Sequence, residues 1–241
     1  MRVIRRPAPA VLVGRHVRLE PLTAAHLPGL HDALAHPEVF AGGFGGGPAG
    51  LPHTDDFDAW ALAYGVADDA RRFVVRLVGG EHDGRVVGAT TLGDLDEAAG
   101  TAHLGWTGYH PRVWGTAVNP ETKLLVLGHA FAHGYRRVRL QADDANHRSR
   151  AAIERLGAEP AGVRANDRVR ADGTVAGTAV YWVTAERWPE VAAGLRERLA
   201  GSPGPVRLRP WPRVSGVDGR EVRREPGRPA VHRGGPDALG D

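Results

Sequence analysis

Between an extended run at residues 101–109 and a helical run beginning near residue 119 stands Arg112-Val113-Trp114-Gly115-Thr116-Ala117, a loop of pattern R-x-x-G-x-A. A small-residue loop that enters a helix leaves backbone N–H groups without partners. The helix N-terminus adds the equivalent of roughly half a positive charge. Together these hold a phosphate or pyrophosphate with no cationic side chain required. Gly115 and Ala117 would let such a ligand approach the backbone closely. The amides of Val113, Trp114, Gly115, Thr116, Ala117 and Val118 are the candidate phosphate donors, with Arg112 at the fixed first position.

Further along, Asn146-His147-Arg148-Ser149 precedes a helical run that closes in Leu156-Gly157. Upstream lie Gly105-Trp106-Thr107 and Tyr109-His110-Pro111, and downstream Asp172-Gly173-Thr174 separates two β-like runs. In this order and spacing the four features resemble the GNAT acetyltransferases, over residues 11 to 199. Within that family they resemble the branch that includes ribosomal-protein N-terminal acetyltransferases. The resemblance implies a GNAT-like α/β fold with a mixed, mostly antiparallel central sheet flanked by helices. It implies that Arg112, Gly115 and Ala117 belong to the loop that binds the pyrophosphate of acetyl-CoA, the acetyl donor. It also implies that Asn146 touches the pantetheine arm and that the helix after it flanks the thiol.

Acetyl transfer to an amine makes three demands. The amine must lose a proton, the tetrahedral oxyanion needs a donor, and the departing thiolate benefits from a proton. Many GNAT enzymes carry a Glu base on the fourth strand. The matching stretch here, residues 101–106, has no acid. His103 and His110 are the candidate bases, since a neutral imidazole suits the task near pH 7. Strand alternation groups His103 with Thr101 and Gly105 without saying which face meets the cleft, and a structural role fits either histidine as well. The family's helical Tyr, expected near Ile153, is also absent. Ser149 matches a Ser that serves the thiolate in the ribosomal branch, or else caps the helix start. The reading is therefore an acetyl-CoA-dependent N-acetyltransferase acting on a small-molecule amine or a protein N-terminus. The alternative is a non-catalytic acyl-CoA-binding or regulatory protein, in which the missing Glu and Tyr are real losses.

Composition agrees with a cytoplasmic enzyme. The 241 residues are 42% hydrophobic, enough for a substantial core. No run of apolar residues is long enough to span a membrane. The basic N-terminus has no apolar segment after it, so no signal peptide is expected. With no cysteine, disulfides, thiolate catalysis and Cys-based zinc sites are excluded. Lys123 is the sole lysine, and the codon bias of a high-GC genome explains the arginine excess as well as any selection for binding does. Of 31 basic and 28 acidic residues, eight and five fall after Ala200, leaving 23 of each sign in the first 200 residues. The body is thus neutral, nucleic acid is not an expected partner, and a homodimer is compatible with the composition. Residues 201–241 hold seven Pro and eight Gly and read as a flexible, basic Pro/Gly/Arg-rich tail after a domain of residues 1–200. Residues 209–213, Arg-Pro-Trp-Pro-Arg, could dock on a partner.

The positioning elements are read from periodicity. Strands are expected at residues 17–22, 73–78, 85–92, 101–109, 137–142, 162–170 and 174–183. Helices are expected after Thr23, at 55–68, at 120–133 with Asn119 as N-cap and Pro120 first, at 147–156 and at 186–199. The Asp172-Gly173 turn suits a type I′ hairpin. Residues 42–47, Gly-Gly-Phe-Gly-Gly-Gly, lack the Lys-Ser or Lys-Thr of a P-loop. They read equally as a wall of the acceptor pocket or as a connector.

Overall fold

The β-branched and apolar runs pair into a single sheet. The computed structural model describes residues 3–65 and 69–211. The strands are β1 Leu12–Val13, β2 Val17–Pro21, β3 Arg71–Leu77, β4 Val86–Asp96, β5 Thr101–Tyr109, β6 Arg137–Asp143, β7 Glu159–Val169 and β8 Val175–Thr184. Their order is β1-β2-β3-β4-β5-β6-β8-β7. All neighbours are antiparallel except β5 and β6. Helices cover both faces. On one lie α1 Leu27–Leu34, α2 Pro37–Phe40 and α3 Phe57–Ala63. On the other lie α4 Val118–Ala132, α5 His147–Glu154 and α6 Trp188–Ala200. This is the mixed, mostly antiparallel α/β sheet expected from the sequence.

Strand β3 shows why its sequence is apolar on both sides. Phe73, Val75 and Leu77 face the α4–α6 core, while Val74 faces the α1–α3 core. A strand covered on both faces loses the alternation of a half-exposed one. At the far edge, β7 is exposed along almost its whole length, so polar residues alternate there freely.

The parallel β5–β6 pair positions the site. It is hydrogen-bonded only where Thr101, Ala102 and His103 face Arg137, Val138 and Arg139. Beyond that point the strands separate and leave a wedge. A bulge sits in the diverging part of β5: Ala89 pairs with Gly108 but Thr91 with Gly105, and Trp106 has φ 47°. The extra residue reverses the facing of the rest of the strand and leaves a backbone group unpaired. Ala102 and Leu104 face the α4–α6 core before the bulge, and Tyr109 does so after it.

Several expectations need correction. Helix α4 begins at Val118, with Ala117 as N-cap, two residues before the expected start. Thr116 explains this, because its hydroxyl accepts from the Val118 amide and donates to the Val113 carbonyl. The second helix is shorter than 55–68, since Gly65, at φ 72°, ends that turn. The Asp172-Gly173 turn is not type I′, because Gly173 has φ 83° but Asp172 does not take positive φ. Gly173 N–H bonds Arg170 and Arg170 N–H bonds Thr174, which is a three-residue hairpin loop with a left-handed glycine. The compact unit runs through Trp211, eleven residues past the expected boundary. Val206 is buried in the core, and Leu208 packs on it. The rest of the expected tail, residues 212–241, lies outside the described residues. No described helix is long and apolar enough to cross a membrane.

Candidate active site

A cleft of about 720 Å³ occupies the wedge between β5 and β6. It is lined by β5, the 113–117 loop, the start of α4, the end of β6 and α5. The loop is shaped by local chemistry. Pro111 opens a short 3₁₀ turn capped by His110, whose Nδ1 accepts from the Arg112 amide at 3.1 Å. The Val113, Trp114 and Thr116 amides are spent on loop carbonyls and Val118 N–H on the Thr116 hydroxyl. The Gly115, Ala117 and Asn119 amides have no acceptor among the described residues, and all three residues line the cleft. Of the six amides expected to hold phosphate, two are therefore available, joined by that of Asn119, a residue expected from its sequence position to be the helix cap. Gly115 has φ 69°, a conformation that strains any residue with a Cβ.

Arg112 does not point a charge into the cleft. Its Nε donates to the Arg209 carbonyl at 2.7 Å, and Arg209 N–H donates back to the Arg112 carbonyl at 2.8 Å. Arg209 also donates to the Gly115 carbonyl at 2.9 Å. The described part of the stretch expected to seek a partner, residues 209–211, is thus docked on this chain's own loop, with Trp211 packed edge-on to His36 and close to His110.

The N-x-x-S segment forms the opposite wall. Asn146 Oδ1 caps α5 by accepting from the Ser149 amide at 2.9 Å, and its Nδ2 donates to the Gly42 carbonyl. Its amide is therefore occupied at both ends. The Ser149 hydroxyl lines the cleft and bonds no described group. Arg148 lays its guanidinium 3.7 Å over the Trp114 ring, across the cleft from its own helix.

The far end is built by Gly42, Gly43, Phe44, Tyr64, Trp106, Asp143 and Arg168. The Gly-rich segment is thus part of the cleft wall. Gly45 shows why glycine is needed: it has φ 63°, and a Cβ would lie 2.4 Å from the Phe40 ring. Asp143 is the cleft's only acid among the described residues. Arg168 holds it at 2.7 Å, Arg170 at 2.9 and 3.0 Å, and the Ala145 amide at 3.0 Å. Burial alone would raise its pKa, but these donors outweigh it and hold Asp143 well below the usual carboxylate range.

The two histidines fare differently from expectation. His110 is buried, does not line the cleft, and has its Nδ1 committed to the cap. Burial first, then the charges of His36, Arg85 and Arg112, push its pKa down to about 4. As a base for this cleft it is ruled out by placement. His103 contributes to the lining, yet it packs on the face of β5 away from α4, 4.6 Å from Trp106 and 3.3 Å from Asp94 Oδ2. Both of its ring nitrogens are buried, at angles that make no good hydrogen bond. Desolvation lowers its pKa, partly offset by Asp94.

Sequence reasoning missed one group. Lys123, on α4, is buried and reaches the cleft, where Nζ donates to Thr107 Oγ1 at 3.2 Å. Thr107 Oγ1 in turn lies 2.7 Å from Thr90 Oγ1. Desolvation pushes the Lys123 pKa down to about 7. The available signal was its rarity, one lysine among 31 basic residues.

The comparisons agree with this geometry. Residues 16–159 match the family model described as acetyltransferase (GNAT) domain. A GCN5-related N-acetyltransferase from Brucella melitensis is 26% identical, with TM-score 0.73 over 83% of this chain and 89% of that one. A protein assigned as an acetyltransferase from T. thermophilus is 33% identical, with TM-score 0.69 over 80% of this chain and 98% of its own. Mycobacterium smegmatis RimJ, solved in complex with CoA-disulfide, shares the fold at 19% identity, with TM-score 0.62 over 79% of this chain and 95% of that one. No curated protein matches the sequence. A strand pair that opens into a wedge, a helix entered through R-x-x-G-x-A, and the family match over most of the body place this chain in the GNAT acetyltransferase family.

Proposed function

We propose that the protein transfers an acetyl group from acetyl-CoA to a primary amine, on a small molecule or a protein N-terminus. The observation that carries this reading is the set of unpaired amides at Gly115, Ala117 and Asn119 at the mouth of α4, opening on the β5–β6 wedge. These amides and the helix dipole would hold the pyrophosphate. Ser149 and the β5 bulge at Trp106 would face the reacting end. Bound acetyl-CoA would supply an activated acetyl group. The chain's part is to orient the acceptor, polarise the acetyl carbonyl and handle the proton. Ser149, with a free hydroxyl, is suited to hydrogen-bond the thiolate. His110 lies outside the cleft lining and the His103 ring nitrogens are buried, which favours a base other than these two.

Replacing Gly115 with Glu tests the cofactor assignment. A side chain and a negative charge at the phosphate position are expected to abolish acetyl-CoA binding in calorimetry. Unchanged affinity in a folded variant would refute the site. A second reading, a non-catalytic acyl-CoA binder, draws on the saturation of Asp143 by two arginines. Turnover of acetyl-CoA across an amine panel separates the two.

A further inference from the structure

Among 31 basic residues the chain uses lysine once, and that lysine is the one buried in the cleft. Lys123 is 8% exposed, and no carboxylate lies within 4.0 Å of its Nζ among the described residues. Among the described residues its single hydrogen bond goes to Thr107, just past the β5 bulge, where the strand has left β6. A buried ammonium with no counter-ion is strongly unfavourable. An amine escapes the penalty by shedding its proton, and a guanidinium does not. The one lysine of an arginine-rich sequence thus puts here a side chain that can exchange a proton, as arginine cannot.

We propose that Lys123 is the proton carrier of the reaction, taking the proton released by the acceptor nitrogen and returning it to the departing sulfur. This rests on the acetyl-transfer reading above. Neutral Lys123 accepts the proton, through Thr107 or a water, as the acceptor nitrogen bonds the acetyl carbon. Lys123 ammonium then protonates the sulfur as the C–S bond breaks. Amide and thiol result, and Lys123 returns to its neutral form with no net proton consumed. Burial holds the amine near pH 7, where both transfers are feasible. The other titratable groups lining the same cleft are Tyr64 after α3, His103 and Tyr109 on β5, Asp143 on β6, Arg148 and Arg155 at α5, Arg168 on β7 and Arg198 on α6. Burial lowers the His103 pKa, partly offset by Asp94, and raises that of Tyr109. Asp143 is saturated by its arginines.

A sole lysine makes the test direct. In wild-type protein labelled at lysine with ¹⁵N, NMR reads one side-chain amine; it is expected to titrate near pH 7 and to shift when CoA is added. Lys123→Met is expected to lower kcat by about a hundredfold and to erase the acid limb of the kcat profile. Its Kd for acetyl-CoA is expected to stay within about threefold, since the loss belongs to the transition state. Lys123→Arg should be as slow as Lys123→Met, because a permanent cation cannot accept the proton. A lysine titrating at its ordinary value, or a Lys123→Met enzyme with normal kcat and pH profile, overturns the proposal alone. A wild-type protein that fails to bind acetyl-CoA overturns the acetyl-transfer reading and this proposal with it.

Discussion

Replacing Lys123 by methionine also makes a stability prediction that needs no substrate. Its pKa falls from the ordinary 10.5 to about 7 in the folded protein, by desolvation alone. Between those values the unfolded chain binds a proton that the folded chain does not, so stability rises with pH. Below about pH 7 both states are protonated, and the folded protein bears the full cost of a buried charge. The cost fades as pH climbs toward 10.5, the unfolded value. Integrated from about pH 6 to about pH 9, wild type should gain about 3 kcal/mol relative to Lys123→Met, which binds no proton there. Methionine has nearly the shape of the lysine stem and loses only one hydrogen bond, to Thr107. The variant is therefore expected to be the more stable protein at about pH 6, with the advantage shrinking as the pH rises. Urea unfolding of both proteins at the two pH values gives the double difference, in which the titration of every other group cancels. A difference that stays constant within about 0.5 kcal/mol across that range would show that Lys123 is solvated, and would refute the argument.

Three further outcomes are expected. Ser149→Ala should slow acetyl transfer about tenfold to a hundredfold while leaving acetyl-CoA affinity nearly unchanged; normal kcat with a lower melting temperature would make Ser149 purely structural. Glu121→Ala should cost about 3–5 kcal/mol in denaturant unfolding, because it strands buried amides of the β1–β2 turn. The Glu121 carboxylate accepts from Arg15, His16 and Val17 at 2.9, 2.6 and 2.7 Å, and a loss under about 1 kcal/mol would show that the turn re-pairs without it. Truncation after Trp211 should leave melting temperature and acetyl-CoA binding intact. Truncation after Ala200 should lower both, because Val206 leaves the core and Arg209 releases the Gly115 loop. Equal behaviour of the two truncations would contradict this.

Much of the molecule was legible along the chain. The R-x-x-G-x-A loop, the strand alternation and the order of elements are local features, whereas the cap of α5, read at Ser149, falls on Asn146, which accepts from the Ser149 amide. Local features depend on glycine's access to positive φ, on side chains that cap a helix, and on the period of apolar residues. The sequence by itself therefore determined the sheet-and-helix plan and the two walls of the cleft. Burial and partnership are not local, and there the reading failed. The sequence places Glu121, Thr122 and Lys123 in a helix but does not say which way they face, and the fold buries all three. His110 carries the residue type of a base, but the turn it caps takes its nitrogen and turns it from the cleft. Residues 201–211 have the composition of a tail, but Val206 and Leu208 pack on the core, Arg209 bonds the Arg112–Gly115 loop and Trp211 packs on His36, which docks them. Only the tertiary structure decided which titratable group meets the wedge. A side chain's proton affinity is set by the water it loses and the charges it gains, and both come from residues distant in the chain.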